Sequence, residues 1–332
     1  MAHPSNWNSG MYFLLARILQ ATIVMLCVAL VGFLVFQYVG DPVLAMVGQE
    51  TTIEDREALR ESLGLNDPIL IQYARYVAGA VQGDLGISYS FNRDVSEMIA
   101  DRLPATVELV LLSGVLSLIL AIPAGIYTGI RRKGGLAQTI MALSVIGVSI
   151  PSFLLGILMI LVFSVWLNWL PSFGRGDTVT WLGIRSSLFT WDGLTHALMP
   201  AAVLCLFQLG VILRLIRAEM LEVLRTDYIR FAFARGIPGQ RIYFHHALKN
   251  TMVPVVTAIG LQLSSLFAFS IITERVFQWP GMGSLLLHAI GQSDIPLLAA
   301  YLIFVGLVFT LSNLVIDAVY VLIDPRIRHG AV

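Results

Sequence analysis

Long apolar runs, broken by short polar stretches, dominate the pattern along the chain. A helix needs about 20 apolar residues to cross a hydrocarbon core of about 30 Å. Backbone inside lipid must satisfy its own hydrogen bonds, which leaves helices or a closed barrel. Barrel strands would alternate apolar and polar residues, and these runs do not, so helices are predicted. Six runs qualify: Tyr12–Val39, Ala105–Ile130, Leu136–Leu167, Leu194–Ile216, Met252–Thr273 and Leu297–Ile323. Pro104 precedes the second, in a position suited to a helix start. Pro151 falls inside the third, where a kink is expected. The first run is too long for the apolar part of a signal peptide, and no small-residue cleavage pattern follows it, so it reads as a retained membrane helix.

Two of the connecting stretches are long enough to fold. In Gly40–Leu103, Thr52 and Asp55 resemble a capping box and Gly64 suits a helix end. Asn66-Asp67-Pro68 reads as a second helix start, with Leu70, Tyr73, Val77 and Val81 on one face. These short helices are expected to pack at the outer mouth, as a structural lid or a docking surface. The stretch Arg217–Asn250 is basic and far longer than a tight connection needs. Gly236-Ile237-Pro238-Gly239 should form a turn between helical pieces. Such a segment suits docking on another protein at the membrane surface, or a solvated basic loop.

Composition agrees with the pattern. Of 332 residues, 57% are hydrophobic and 13% charged, and mean hydropathy is +0.80. That charge content is about half the roughly 25% typical of soluble domains. The net charge of zero gives no footprint for nucleic acid. Its distribution sets an orientation, because cytoplasmic loops collect Lys and Arg. With the N-terminus inside, thirteen of the 21 basic residues fall on the inner side: Arg17, Arg131, Arg132, Lys133, Arg214, Arg217, Arg225, Arg230, Arg235, Arg241, Lys249, Arg326 and Arg328. The expected layout is therefore an inner N-terminus at residues 1–11, a first span at 12–39 and an outer loop at 40–104. A membrane domain follows at 105–323, with the inner loop 217–250, and then an inner C-terminus at 324–332.

The chain carries no sign of an enzyme. It has no Gly-Lys pair, hence no phosphate-binding P-loop, and no G-x-S-x-G nucleophile turn. Cys27 and Cys205 sit singly in apolar runs as small packers. No metal site is expected: His245 and His246 are adjacent and would point to different faces of a helix. Ionisable groups within the runs would suggest ion coupling. Glu108, Arg214 and Asp317 are the few present, all near helix ends where pairing or an interface can serve them. Gln208, Gln262, Ser264 and Ser265 are uncharged polar groups that could line an aqueous path or bond helix to helix.

RFAFARGIPGQRIYFHHALKNTMVP, Arg230–Pro254, resembles the cytoplasmic EAA loop of ABC importer permeases. Gly236 falls on the family glycine, Ala232 on the second alanine and Leu248 on the leucine. Arg230, Phe231, His246 and Lys249 stand where the pattern has Glu, Ala, Ile and Pro. Gly83-Asp84-Leu85-Gly86, Arg102-Leu103-Pro104-Ala105-Thr106, ERVFQWPGMG at Glu274–Gly283 and NLVIDAVYVLIDPRIR at Asn313–Arg328 resemble the dipeptide/oligopeptide/nickel class, in the first of its two permease types.

The resemblance implies an all-α membrane protein of six transmembrane helices, with a small extracytoplasmic helical insertion and a cytoplasmic coupling loop. It implies a permease that moves peptides or a similar small polar solute inward by alternating access. Dipeptides, oligopeptides, glutathione, nickel chelates, sugars and opines are all open as cargo. The implied partners are a second homologous permease, two cytoplasmic ATPases that bind ATP and Mg, and an extracytoplasmic solute-binding protein. The implied setting is a bacterial or archaeal cytoplasmic membrane. Arg230, Ala232, Arg235, Gly236, Ile237, Pro238, Gly239, Arg241, His245 and His246 would form the ATPase-coupling surface. Two other readings remain. An ion-coupled secondary transporter would need ionisable groups at the bilayer midplane, and a membrane scaffold would leave the whole-chain likeness without a reason.

Overall fold

The computed structural model describes residues 6–38, 43, 52–62, 64–181 and 183–323. The expectations for residues 1–5 and 324–332, including Arg326 and Arg328, lie outside the described residues, as does the side chain of Asp317. In chain order the helices are α1 (Asn6–Tyr38), α2 (Ile53–Ser62), α3 (Ile69–Gln82), α4 (Val95–Ile130), α5 (Gly135–Ser149) and α6 (Ser152–Met159). A π-helical turn, Ile160–Trp166, extends α6. A small antiparallel hairpin pairs β1 (Val179–Trp181) with β2 (Ile184–Ser186). Then come α7 (Trp191–Val223), α8 (Asp227–Ala234), α9 (Gly239–Arg241), a π-turn at Ile242–Ala247, α10 (Leu248–Val276), α11 (Met282–Gly291) and α12 (Ile295–Ile323).

Among the described residues five helices are long and apolar enough to cross a membrane, and a sixth span results if α5 and the α6 segment count together. The expected kink at Pro151 is present and large: the two pieces of Leu136–Leu167 meet at 106°. Ile150 is extended there (φ −83°, ψ 127°), as a residue before proline prefers to be. A correction concerns Pro104, which lies inside α4. The helix begins at Val95, because the Asp94 carboxylate accepts the Ser96 amide (3.3 Å) and hydroxyl (3.0 Å). The first turns are amphipathic and precede the apolar run, so apolarity alone starts the helix too late. The hairpin and α11 were not signalled by the apolar runs either.

The chain forms two compact units. Residues 1–103 and 284–314 make the first. There the Asp55 amide donates to Thr52 Oγ1 (3.2 Å), as a capping box requires. The Tyr73 hydroxyl donates to the Leu26 carbonyl (2.8 Å), and the Phe33 ring meets Tyr73 and Tyr76 at 5.7 and 5.8 Å. The expected common face of α3 is divided: Tyr73 and Val77 are half-buried, whereas Leu70 and Val81 are exposed. Asp294, fully buried, closes the other side of this unit. It accepts from the Ser88 hydroxyl (2.5 Å) and from the Tyr89 and Ser90 amides (3.3 and 3.1 Å).

Residues 104–283 with those from 315 to 323 make the second unit. One apolar cluster gathers around Trp279, with Leu109, Val110, Ala201, Leu204 and Leu266. Another joins Ala121, Ile212, Ile216 and Met220 to Ile229, Ile242 and Val255. Lipid tails are as apolar as these side chains, so close packing and buried polar bonds, more than water release, discriminate among helix arrangements here.

Candidate functional site

The segment joining α7 to α10 is built on a buried spine. Ile229, Ile242 and Ala247 are fully buried, Ala232 is nearly so, and Ile237 packs half-buried against the same cluster. The hydroxyl of Tyr228 accepts from Asn250 Nδ2 (2.6 Å), tying α8 to the start of α10. Gly236 ends α8 in a Schellman turn. Its amide donates to the Phe233 carbonyl (2.9 Å) and the Ile237 amide to the Ala232 carbonyl (3.3 Å). This turn needs a left-handed residue, and Gly236 has φ +74°.

The opposite side faces outward. Arg230, Arg235, Gly236, Pro238, Arg241 and His245 are exposed, while Gly239 and His246 are half-buried. Thus most of the ten sequence-derived coupling residues are exposed along this segment, whereas Ala232 and Ile237 pack into the apolar cluster beneath it. The basic residues add little rigidity: Arg230 pairs with Asp227 at 3.3 Å, but both are largely exposed. His245 and His246 set their rings nearly perpendicular, 5.3 Å apart. Among the described residues no group of His, Cys, Asp and Glu is arranged to hold a metal.

Three aromatics belong to this surface that sequence reasoning left out. Phe231, Phe233 and Phe244 are 63%, 45% and 58% exposed. The Arg235 guanidinium lies 5.5 Å from the Phe231 ring centre, and Phe233 meets Tyr243 at 6.2 Å. The signal was present as Arg-Phe-Ala-Phe, an apolar pair flanking a buried alanine on a helix one turn from solvent.

The four residues read as a polar path are not equivalent. Gln208 and Ser264 are almost completely buried, and among the described residues neither the Gln208 amide nor the Ser264 hydroxyl has a hydrogen-bond partner. Gln262 and Ser265 are partly accessible on α10, and the Ser265 hydroxyl donates to the Leu261 carbonyl (3.3 Å). Gln208 follows Leu204 by one turn and precedes Ile212 by one, so it sits between the two apolar clusters. Glu108 is occupied by a structural pair. Arg175 donates to it from Nε and Nη2 (3.2 and 2.9 Å), and Ser187 from its amide and hydroxyl (3.0 and 2.8 Å).

A polytopic helical chain with a folded segment between two long apolar helices has the build of a transport permease. Residues 121–329 match the family of binding-protein-dependent transport system inner membrane components, and residues 11–110 match the N-terminal part of such membrane components. The chain belongs to this family and is a permease component of an ABC importer. It is 35% identical over 319 residues to the oligopeptide transport system permease protein of Bacillus subtilis, covering 96% of this chain and 99% of that one. It is 37% identical over 306 residues to the dipeptide transport system permease protein of Escherichia coli K12, covering 87% and 90%. The glutathione transport system permease protein of Escherichia coli O6:H1 is also 37% identical, over 304 residues, covering 90% and 94%. Among solved structures, a chain of the MetNI methionine ABC transporter in inward-facing conformations shares the fold. Its TM-score is 0.53 at 19% identity, covering 66% of this chain and 93% of that one. The protein is accordingly a multi-pass inner-membrane permease, with ATPase and substrate-binding components as its general partners.

Proposed function

We propose that this chain forms half of the translocation path of a peptide importer, paired with a second homologous permease. Six spans place both termini in the cytoplasm, with the broken α5–α6 segment as the third span and the α2–α3 insertion outside. Two ATPase subunits, binding ATP and Mg, dock beneath it, and an extracytoplasmic solute-binding protein delivers peptide from outside. Peptide as cargo rests on the oligopeptide and dipeptide permeases that the chain resembles over nearly its full length.

The observation that carries this reading is the surface around Gly236, where a buried spine supports an exposed rim of Arg, Phe and Pro between α7 and α10. A rigid segment between two membrane helices transmits a partner's movement as rigid-body motion. Gly236 leaves a gap toward a partner, since a Cβ there would meet nothing within 4 Å. The ATPase closes on ATP, the segment follows, and the paired permeases open alternately to the two sides. No covalent chemistry occurs in this chain.

The test is Gly236→Asp in the assembled transporter. Peptide uptake in proteoliposomes should be abolished, while the variant inserts and still copurifies with the second permease. Normal uptake would remove the docking assignment. Purification of the tagged native chain without P-loop ATPases, even after crosslinking, would remove the importer assembly.

A further inference from the structure

We infer that the first unit carries a binding site for a small amine with an apolar body, in the cavity between α3, the end of α1 and the turn Gly83-Asp84-Leu85-Gly86. The cavity measures about 330 Å³ and is also bordered by the start of α12. Ligand pockets run from roughly 300 to 1,000 Å³, so this one suits a small molecule. Its walls are aromatic and aliphatic, with Phe33, Phe36, Tyr76, Tyr89, Leu85 and Pro296. The Tyr76 ring stacks on Phe36 at 6.4 Å, with 24° between the planes, and is tilted against Phe33 at 5.8 Å. Aromatic faces attract a cation held within about 6 Å of a ring centre.

The polar groups that matter are acceptors. Gln72, which lines the cavity, donates from Nε2 to the Leu65 carbonyl (2.8 Å) and the Asp67 carbonyl (2.7 Å). Those two bonds fix the amide, because flipping it would set its oxygen against two carbonyls. Gln72 Oε1 is buried and has no hydrogen-bond partner among the described residues. A buried acceptor without a donor is costly, so a ligand N–H is favoured there. The second acceptor is a carboxylate. Gly83 ends α3 in the left-handed region (φ +85°), and the Asp84 amide returns to the Gly79 carbonyl (2.9 Å). That turn brings Asp84 back to the helix, where its Oδ1 accepts from the Gly86 amide (3.1 Å). Arg75 is the other charged residue of the lining, and it is neutralised at 2.7 Å by Asp67, which lies outside the lining. Among the described residues the cavity therefore offers acceptors, aromatic faces and a net negative charge. An ammonium matches all three, and the apolar walls match its body. An anion would meet Asp84 and Gln72 Oε1, neither of which can donate to it.

The inference does not need the importer reading, and no residue of the cavity belongs to the coupling surface around Gly236. The probe is para-fluorophenethylamine, followed by fluorine NMR on the complete transporter in detergent, with empty micelles as the blank. Its line should broaden on the transporter, and excess unlabelled phenethylamine should reverse the broadening. Asp84→Asn keeps an acceptor for the Gly86 amide but removes the charge. Phe36→Leu keeps apolar volume but removes an aromatic face. Each should weaken binding about threefold or more, while the complex still elutes intact. The anion para-fluorophenylacetate and the uncharged para-fluoroethylbenzene should bind about tenfold more weakly than the amine. Equal broadening of all three would mean apolar filling or detergent partition, and would overturn the amine assignment. Absence of broadening with every probe would overturn it too. Amine binding that neither variant weakens would lie elsewhere on the transporter and would overturn the site.

Discussion

Two regions of the second unit are held together by opposite means. Near the start of α4 the structure buries carboxylates and satisfies them. Glu274, with no exposure, accepts from the Thr106 hydroxyl (2.6 Å) and the Gly283 amide (2.7 Å), and Trp279 Nε1 donates to the Ala105 carbonyl (2.9 Å). A Cβ on Gly281 would sit 2.5 Å from the Glu274 carboxyl carbon and the Thr106 hydroxyl, so any side chain there would have to displace that buried bond. Glu108, with Arg175 and Ser187, makes a second such knot. The α8–α9 segment instead is fixed from below by apolar packing, and its Arg and Phe side chains stay largely exposed with only local pairings. Buried polar bonds specify one arrangement, because breaking them orphans charge or dipole in a low-dielectric setting. An apolar spine with an open rim fixes position while leaving a surface for a partner. The knots belong to architecture and the rim to transmission.

The comparison breaks most visibly at the Glu108–Arg175 pair, whose side chains are each 10% exposed. Removing one member of a buried pair leaves an uncompensated charge, at a cost of about 3–5 kcal/mol. Arg175→Met should therefore lower the melting temperature of the purified permease far more than any single change on the α8 rim. Glu108→Gln added to Arg175→Met should recover part of the loss, since the orphaned charge is then gone. Equal melting of wild type and Arg175→Met would show that the pair holds nothing.

Asp294 offers a milder test in the first unit, with a pH signature. Burial alone would raise its carboxyl, but hydrogen bonds from the Ser88 hydroxyl, Ser90 and Tyr89 outweigh this and hold it below the ordinary 3.8. A folded-state pKa below the unfolded one adds stability that is full above 3.8 and is lost as pH falls through the lowered value. Asp294→Asn should thus destabilise the protein near neutral pH by about 1.5–3 kcal/mol, the range for a hydrogen bond to a charged group. Melts of both proteins should converge only once the pH lies below the lowered folded-state value. A gap that persists unchanged into acid would show that the carboxylate's charge is not what matters.

The same contrast explains what could be read in advance. The membrane helices were legible because lipid imposes long apolar runs, and the capping box at Thr52 because a cap is local. The turn at Gly236 was legible for the same reason. The knots were not: Thr106 and Glu274 are far apart in sequence, and nothing near either says that they meet. The break at Pro151 was legible as a place but not as an angle, because a proline disfavours helix at the residue before it without dictating the new direction. Gln208 stayed open between path-lining and helix-to-helix bonding, since a polar residue in an apolar run has no face assigned until its neighbours are known.

The smallest structural effect, and the sharpest functional one, is expected at Phe231. Its ring is 63% exposed and touches the Arg235 guanidinium at cation–π distance. Exposed cation–π contacts contribute about 0.5–1 kcal/mol, and surface substitutions usually stay within about 0.5 kcal/mol. Phe231→Ala should therefore leave the melting temperature within a degree or two. If the rim docks the ATPase, an exposed aromatic beside an arginine is the residue type that carries binding energy at interfaces, where truncation costs about 2 kcal/mol or more. Phe231→Ala should then weaken association with the ATPase subunits at least tenfold and slow uptake, while insertion and pairing with the second permease stay normal. Phe231→Leu should retain part of the affinity, because it keeps apolar volume and loses the ring. Unchanged ATPase association in Phe231→Ala would mean that the rim faces water throughout the cycle, and the distinction between knots that hold and a rim that transmits would fail at its inner end.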